Sequence, residues 1–295
     1  MIKDPAIRSN RMQCLCALIS ASIVVIGVCI GVTMNLTTLH DENFDHMGLQ
    51  TFCMFTVNSN ILTALAMMLC IPYTLDGLRT GYYHLPDWVL ILMHMAVTAT
   101  TLTFLVSLFI LAPVKGFGLI FSGSRFFLHG VCPILAILTF CGFICSHLVR
   151  LKESFLALIP VFIYAVLYFI MVVVIGEENG GWNDFYGFAT RIPVWIPATL
   201  IMPLSFGIAT LLRLAHNKCC LSRRQKDAAL YRAAYSGADL RQVIAEMARS
   251  RRKELKVKSI VIPSQLIGYM IENSGSDLDG EEACKIYYEV LTGKA

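Results

Sequence analysis

The chain has 295 residues, 56% of them hydrophobic and 15% charged, with a mean hydropathy of +0.65. A soluble domain carries about a quarter charged residues, so this composition cannot build a water-exposed surface over its whole length. The charge is also uneven: residues 17–212 are apolar with short polar interruptions, whereas Lys and Arg crowd residues 218–258, which argues for a membrane part and a soluble part.

Crossing a bilayer as a helix takes roughly 20 apolar residues. Segments of that length run over residues 14–36, 51–72, 88–113, 126–147, 155–176 and 193–214. The first is longer than the roughly 7–15 residues of a signal-peptide core and no small-x-small cleavage site follows it, so it reads as an anchor. The expected fold class is an all-α integral membrane protein: a six-helix transmembrane bundle over residues 1–214, then a mainly helical cytosolic tail over 215–295, basic at first and acidic later.

The second span carries Thr51, Thr56, Asn58, Ser59, Asn60 and Thr63 in its first half. Thr56, Asn60 and Thr63 share one face at i, i+4, i+7. Polar side chains are costly at membrane depth and mark functional sites by default. The plainer reading is helix glue, with hydroxyls bonded to the carbonyl four residues back and Asn bridging helices. The third span adds His94, Thr98 and Thr101 on one face and Thr100, Thr103 and Ser107 on another. The fourth has His129, with Pro133 one turn later, where a proline kinks the helix and frees a carbonyl. Glu177, Glu178, Asp184 and the aromatic stretch from Trp182 to Phe188 follow the fifth span. Trp182 and its neighbours read as an interfacial anchor or as the cover of a pocket mouth.

Beyond the sixth span, residues 222–258 have helical periodicity, interrupted at Gly237, with Asp239 placed to cap the second piece. The cluster Arg251-Arg252-Lys253 lies close to the bilayer and suits anionic headgroups; a nucleic-acid site is not expected. Residues 259–295 turn acidic around Asp277, Asp279, Glu281 and Glu282, a partner-binding or disordered element whose protein partner the sequence does not name. The eleven cysteines mostly lie in apolar runs without Cys-x-x-Cys spacing, so they read as small hydrophobes. No metal and no cofactor is expected.

Basic residues favour the cytosolic side. Lys3, Arg8 and Arg11, then Arg79, then Arg150 and Lys152, then the tail alternate with acidic loops at Asp41, Glu42 and Asp45 and at Glu177, Glu178 and Asp184. Both termini are therefore expected in the cytosol; Lys115 and Arg125 in the third loop fit this least well, and Arg191 closes the fifth. With that topology Thr56 lies about five residues into its span and His129 about three, which at 1.5 Å per residue is roughly 4–8 Å below the outer boundary. His94 lies near the opposite end. Thr56 and His129 are thus the pair expected to meet: a hydroxyl nucleophile with a histidine base, with Asn60 or a backbone N–H placed for the oxyanion and Ser59 in support. No third group orients the histidine.

The stretch Phe55-Thr56-Val57-Asn58-Ser59-Asn60-Ile61-Leu62 resembles the second-span motif of a poorly characterised group of bacterial multipass membrane proteins. That group is distantly similar to the androgen-induced-gene family of intramembrane threonine hydrolases. Leu128-His129-Gly130-Val131-Cys132-Pro133 resembles the family's histidine-bearing fourth span. Ile159-Pro160 with Tyr164, and Gly181-Trp182 through Phe188, resemble its fifth span and aromatic loop. In those enzymes the histidine lies one residue farther from the proline, and a Tyr-Pro-Phe stands where this chain has Phe185-Tyr186-Gly187-Phe188. The resemblance covers residues 14–214. It implies an intramembrane hydrolase of lipid (fatty acyl) esters, such as fatty acid esters of hydroxy fatty acids, with Thr56 as nucleophile and His129 as base, in a bacterial cytoplasmic membrane. The alternative is a non-enzymatic transporter, sensor or scaffold whose polar faces bind a solute or partner helices; it requires a polar path continuing past His94. A receptor with a signalling tail ranks behind both.

Overall fold

The computed structural model describes residues 7–37, 48–81, 83–188, 195–234, 239–254, 271 and 278–293. Asp41, Glu42, Asp45, Arg191, Gly237 and Asp277 lie outside the described residues, as do the side chains of Arg251, Arg252 and Lys253. Among those described, six helices are long and apolar enough to cross a membrane. In chain order these are α1 (Ile7–Thr37), α2 (Phe55–Thr80), α3 (Asp87–Lys115), α4 (Gly123–Phe143), α5 (Leu151–Ile175) and α6 (Trp195–Ala234). A 3₁₀ turn, Gly48–Cys53, leads into α2.

The packing inverts that of a water-soluble protein. Large apolar side chains such as Ile19, Ile23, Ile26, Phe162, Ile163 and Val174 face outward, while Asn60, Thr63, His94, Thr98, Thr100 and Thr139 are fully buried. This is the arrangement a hydrocarbon solvent selects, because polar groups must find partners within the protein. Helix α3 is the central element, with 56% of its span buried, and α5 the most peripheral, at 11%.

Helix α1 fixes where α4 sits. A Cβ on Gly27 would come within 2.9 Å of the Cys132 sulfur, and one on Gly31 within 2.9 Å of the Leu128 side chain. Only glycine at both positions, four residues apart, allows α4 this close. Farther along, the Thr139 hydroxyl donates to Ser20 (2.7 Å) and the Gln13 amide to the Phe143 carbonyl (2.6 Å). His129 therefore rides on a segment clamped against α1.

One end of the bundle is basic. There Arg11 donates to the Arg79 carbonyl (3.0 Å), Arg223 to the Ser9 carbonyl (2.9 Å), and Asn217 exchanges two hydrogen bonds with the Val149 backbone. The opposite, aromatic end carries the 3₁₀ turn and the loop after α5.

Helix α6 has 40 residues and runs without a break from the apolar span into the basic segment. No Gly or Pro occurs between Gly207 and Gly237, so the backbone continues as helix where the composition changes. Two further helices, α7 (Leu240–Glu254) and α8 (Gly280–Thr292), form a separate hydrophobic cluster around Ile244, Ala248, Leu278, Ala283 and Tyr287. Asp239 caps α7 through the Arg241 N–H (3.0 Å), and Arg241 pairs with Glu282 (2.9 Å). The acidic stretch is thus part of a helix at Glu281 and Glu282, whose charges suit the positive end of its dipole.

Candidate functional site

Four helices and one loop meet near the aromatic end. Three of the helices depart from α geometry there: α3 has a π-helical turn over Ser107–Leu111, α4 one over Phe126–Val131 and α5 one over Ile170–Ile175. The first two run into a proline, Pro113 or Pro133, which lacks an N–H and clashes with the preceding turn. Wide turns of this kind concentrate at functional sites.

In π register the N–H of residue 133 would serve the Leu128 carbonyl. Pro133 has none, and the Asn60 amide takes its place, donating to Leu128 O at 2.9 Å and to Thr56 O at 2.8 Å. The expected freed carbonyl is therefore real, and a side chain of α2 satisfies it. Both amide hydrogens of Asn60 are committed, which leaves it no donor for an oxyanion; its Oδ1 is buried without a partner among the described residues. One nitrogen bridging two carbonyls also holds their oxygens within about 6 Å of each other. Thr56 and the residue preceding His129 thus lie at one level, as the span lengths predict.

Thr56 and His129 are each half-buried, and no hydrogen bond joins them. His129 Nδ1 is paired with the Ser107 hydroxyl; its Nε2 makes no hydrogen bond to a described residue. Ser59 acts as glue: its hydroxyl donates to Thr56 O (3.1 Å) and pairs with Thr103 (3.2 Å), while Thr63 and Thr100 bond each other one turn below. The polar seam between α2 and α3 is closed on itself.

No family model, curated protein or solved structure matches this chain.

The loop after α5 folds back over the first turn of α2. Gly181 permits it, because a Cβ there would stand 2.1 Å from the Met171 carbonyl oxygen. Trp182 donates its backbone N–H to Met171 O (3.1 Å), and its ring lies among Tyr164, Tyr168 and Phe185 with centroids 6.4 Å away. Asp184 accepts from the Tyr168 hydroxyl (2.7 Å) and the Phe188 N–H (2.9 Å), so it shapes the loop. Glu177 and Glu178 are exposed.

Tyr186 is the loop's deepest contact. The first N–H groups of a helix lack internal partners, and the Tyr186 hydroxyl accepts from Phe55 N–H at 3.0 Å. The same hydroxyl lies beside the Thr56 backbone and hydroxyl. Burial pushes its pKa above the ordinary tyrosine value, against the lowering effect of these hydrogen bonds, so it remains a neutral donor at physiological pH.

His94 belongs elsewhere. Its Nε2 contacts the Ala209 carbonyl of α6 (2.9 Å), and its ring stacks on Phe140 (5.2 Å), which stacks in turn on His216 (4.7 Å). The Thr98 and Thr101 hydroxyls, farther along the same face of α3, have no partner among the described residues.

In the sequence Ser107 stands out only as one of a polar face and Tyr186 only as one of an aromatic stretch. The Thr100, Thr103, Ser107 spacing carried a signal for the first. Nothing in the local pattern singled out the second.

Proposed function

We propose that this protein is an intramembrane hydrolase of lipid esters, with Thr56 as nucleophile, His129 as base and Tyr186 in the oxyanion role first considered for Asn60. The observation that carries the reading is the Asn60 bridge, which puts the Thr56 turn and the His129 turn at one level beneath a loop whose tyrosine reaches the nucleophile. The resemblance of residues 14–214 to bacterial multipass proteins distantly similar to the androgen-induced-gene hydrolases supports the same assignment.

An amphiphile sliding in from the leaflet places its ester carbonyl between Thr56 and Tyr186. His129 Nε2 takes the Thr56 proton as Oγ1 attacks, the pair drawing into hydrogen-bond reach in the substrate complex. The carbonyl oxygen becomes an oxyanion and accepts from the Tyr186 hydroxyl. Collapse expels the alcohol, which leaves with the proton from His129. Water, deprotonated by the same nitrogen, then attacks the acyl-threonine ester, and as the bond to Thr56 breaks His129 returns that proton to Oγ1 and the fatty acid is released.

In this reading the protein sits in a bacterial cytoplasmic membrane with both termini in the cytosol, the site opens to the outer leaflet, and the basic tail contacts anionic headgroups. Purified protein in micelles is expected to hydrolyse a hydroxy-fatty-acid ester, and Thr56→Ala to lose at least about 100-fold in kcat with an unchanged unfolding temperature. Full activity in Thr56→Ala overturns the nucleophile assignment.

One observation favours a second reading. His94 Nδ1, the Thr98 and Thr101 hydroxyls and the Thr210 hydroxyl are buried without partners among the described residues, on α3 and α6 where they meet. A non-enzymatic solute path would pass there, and it predicts solute binding that is sensitive to Thr98→Val and indifferent to Thr56→Ala.

A further inference from the structure

We infer that Ser107 is the positioning residue of the proposed hydrolase: it accepts the Nδ1 proton of His129 and so presents a bare Nε2 to Thr56. The inference rests on the hydrolase reading and supplies the histidine orienter that the sequence lacks.

Three observations lead to it. The Ser107 hydroxyl is hydrogen-bonded to His129 Nδ1, while Nε2 makes no hydrogen bond to a described residue. Neutral imidazole carries one proton, and the partner of one nitrogen decides the state of the other. Ser107 also begins the π turn of α3, and His129 lies within the π turn of α4, so their relative placement depends on two wide turns, each held by a following proline. Finally, exposure separates the roles. Ser107 is 1% exposed, too enclosed to attack a lipid ester, whereas Thr56 and His129 are each only half-buried.

The direction of the hydrogen bond follows from the task. If serine donated to Nδ1, the ring proton would sit on Nε2 and no base would face Thr56. With Nδ1–H as donor, Nε2 carries the lone pair. A neutral serine stabilises the imidazolium less than a carboxylate would, so its removal slows the reaction without abolishing it.

The test combines a spectrum with kinetics on the full-length protein in micelles. Nitrogen-15 labelling of histidine, with His129→Gln to assign the signal, is expected to show Nδ1 protonated and Nε2 bare at neutral pH. Ser107→Thr keeps the hydroxyl and should preserve that tautomer. Ser107→Val has the same shape as the threonine variant without the hydroxyl, and should lose the tautomer preference. On a hydroxy-fatty-acid ester, Ser107→Val should lower kcat by about 10–100-fold with KM within about twofold, and Ser107→Thr should restore most of it. An Nε2–H tautomer in the unaltered protein overturns the inference. So does equal kcat in the threonine and valine variants, or a fluorophosphonate label that maps to Ser107. Full activity of Thr56→Ala would instead sink the hydrolase reading, while the tautomer would still decide what Ser107 does to His129.

Discussion

His129 and His216 are both enclosed by the bundle, yet their surroundings differ. His216 has its ring nitrogens against two backbone carbonyls, Phe140 O at 2.7 Å and His147 O at 3.0 Å, and its face on Phe140. Such a ring ties α6 to α4 and to the connection after it, and has no nitrogen left for chemistry. His129 has one nitrogen on a side-chain hydroxyl and the other unbonded. Saturation marks a structural histidine in this fold, and a single orienting bond marks one that can move a proton. The polar seams divide in the same way: α2 against α3 is closed by hydroxyl pairs, whereas the junction of α2, α4 and the aromatic loop sets the Thr56 hydroxyl beside Tyr186 and leaves one His129 ring nitrogen unbonded to any described residue.

The largest expected effect tests this contrast directly. His129→Gln should cut ester turnover by about 100- to 10,000-fold and leave the unfolding temperature within about 2 °C. His216→Gln should do the reverse, lowering stability by about 1–3 kcal/mol through the carbonyl that the ring N–H leaves unpaired and the lost stacking on Phe140, with kcat changed less than about threefold. Turnover and thermal unfolding measured on both variants in one detergent decide the matter. Activity lost equally in the two would erase the distinction.

Much of this was legible in the sequence, for physical reasons that can be named. Hydrophobic run length gave six spans, close in their bounds for α3, α4 and α5 and short at the basic ends of α1 and α2, and counting along them placed Thr56 and the His129 turn at one level, because rise per residue is fixed by helix geometry. Hydropathy falls after Leu214, but nothing breaks the backbone before Gly237, so α6 runs past the expected end of the span into the tail. The role of Asn60 was out of reach because ideal α spacing assigns Pro133 to the His129 carbonyl, whereas the π turn shifts the vacancy to Leu128. Tyr186 was illegible for a different reason. It reaches Thr56 only because Gly181 allows the loop to lie on Met171, a tertiary event with no local periodicity.

A second prediction sharpens the account of the open junction. Asn60→Ala should cost about 1–3 kcal/mol by orphaning the Leu128 carbonyl. In a Pro133→Ala background the main chain regains an N–H that can serve Leu128 O, so the cost of Asn60→Ala should fall by about 1 kcal/mol. A double-mutant cycle from urea or thermal unfolding in micelles reads that coupling. Strict additivity would show that Asn60 does not fill the vacancy left by the proline.

The smallest expected effect lies at the basic end, where His147 joins α4 to α5 and faces Asp87 at 3.1 Å. Burial lowers its pKa below the ordinary histidine value; Asp87 and Glu153 oppose that shift, and His84 and His216 reinforce it. The folded protein therefore binds this proton less readily than the unfolded chain does. Its contribution to stability is complete above the unfolded value of about 6.5 and is lost as pH falls through the lower folded value. Unfolding temperatures measured from pH 7.5 down to 5 should fall more steeply for the unaltered protein than for His147→Gln, which has no proton to take up there. Parallel curves would mean that the Asp87 contact offsets burial completely, and that the basic end, unlike the histidine beside Ser107, is indifferent to protons.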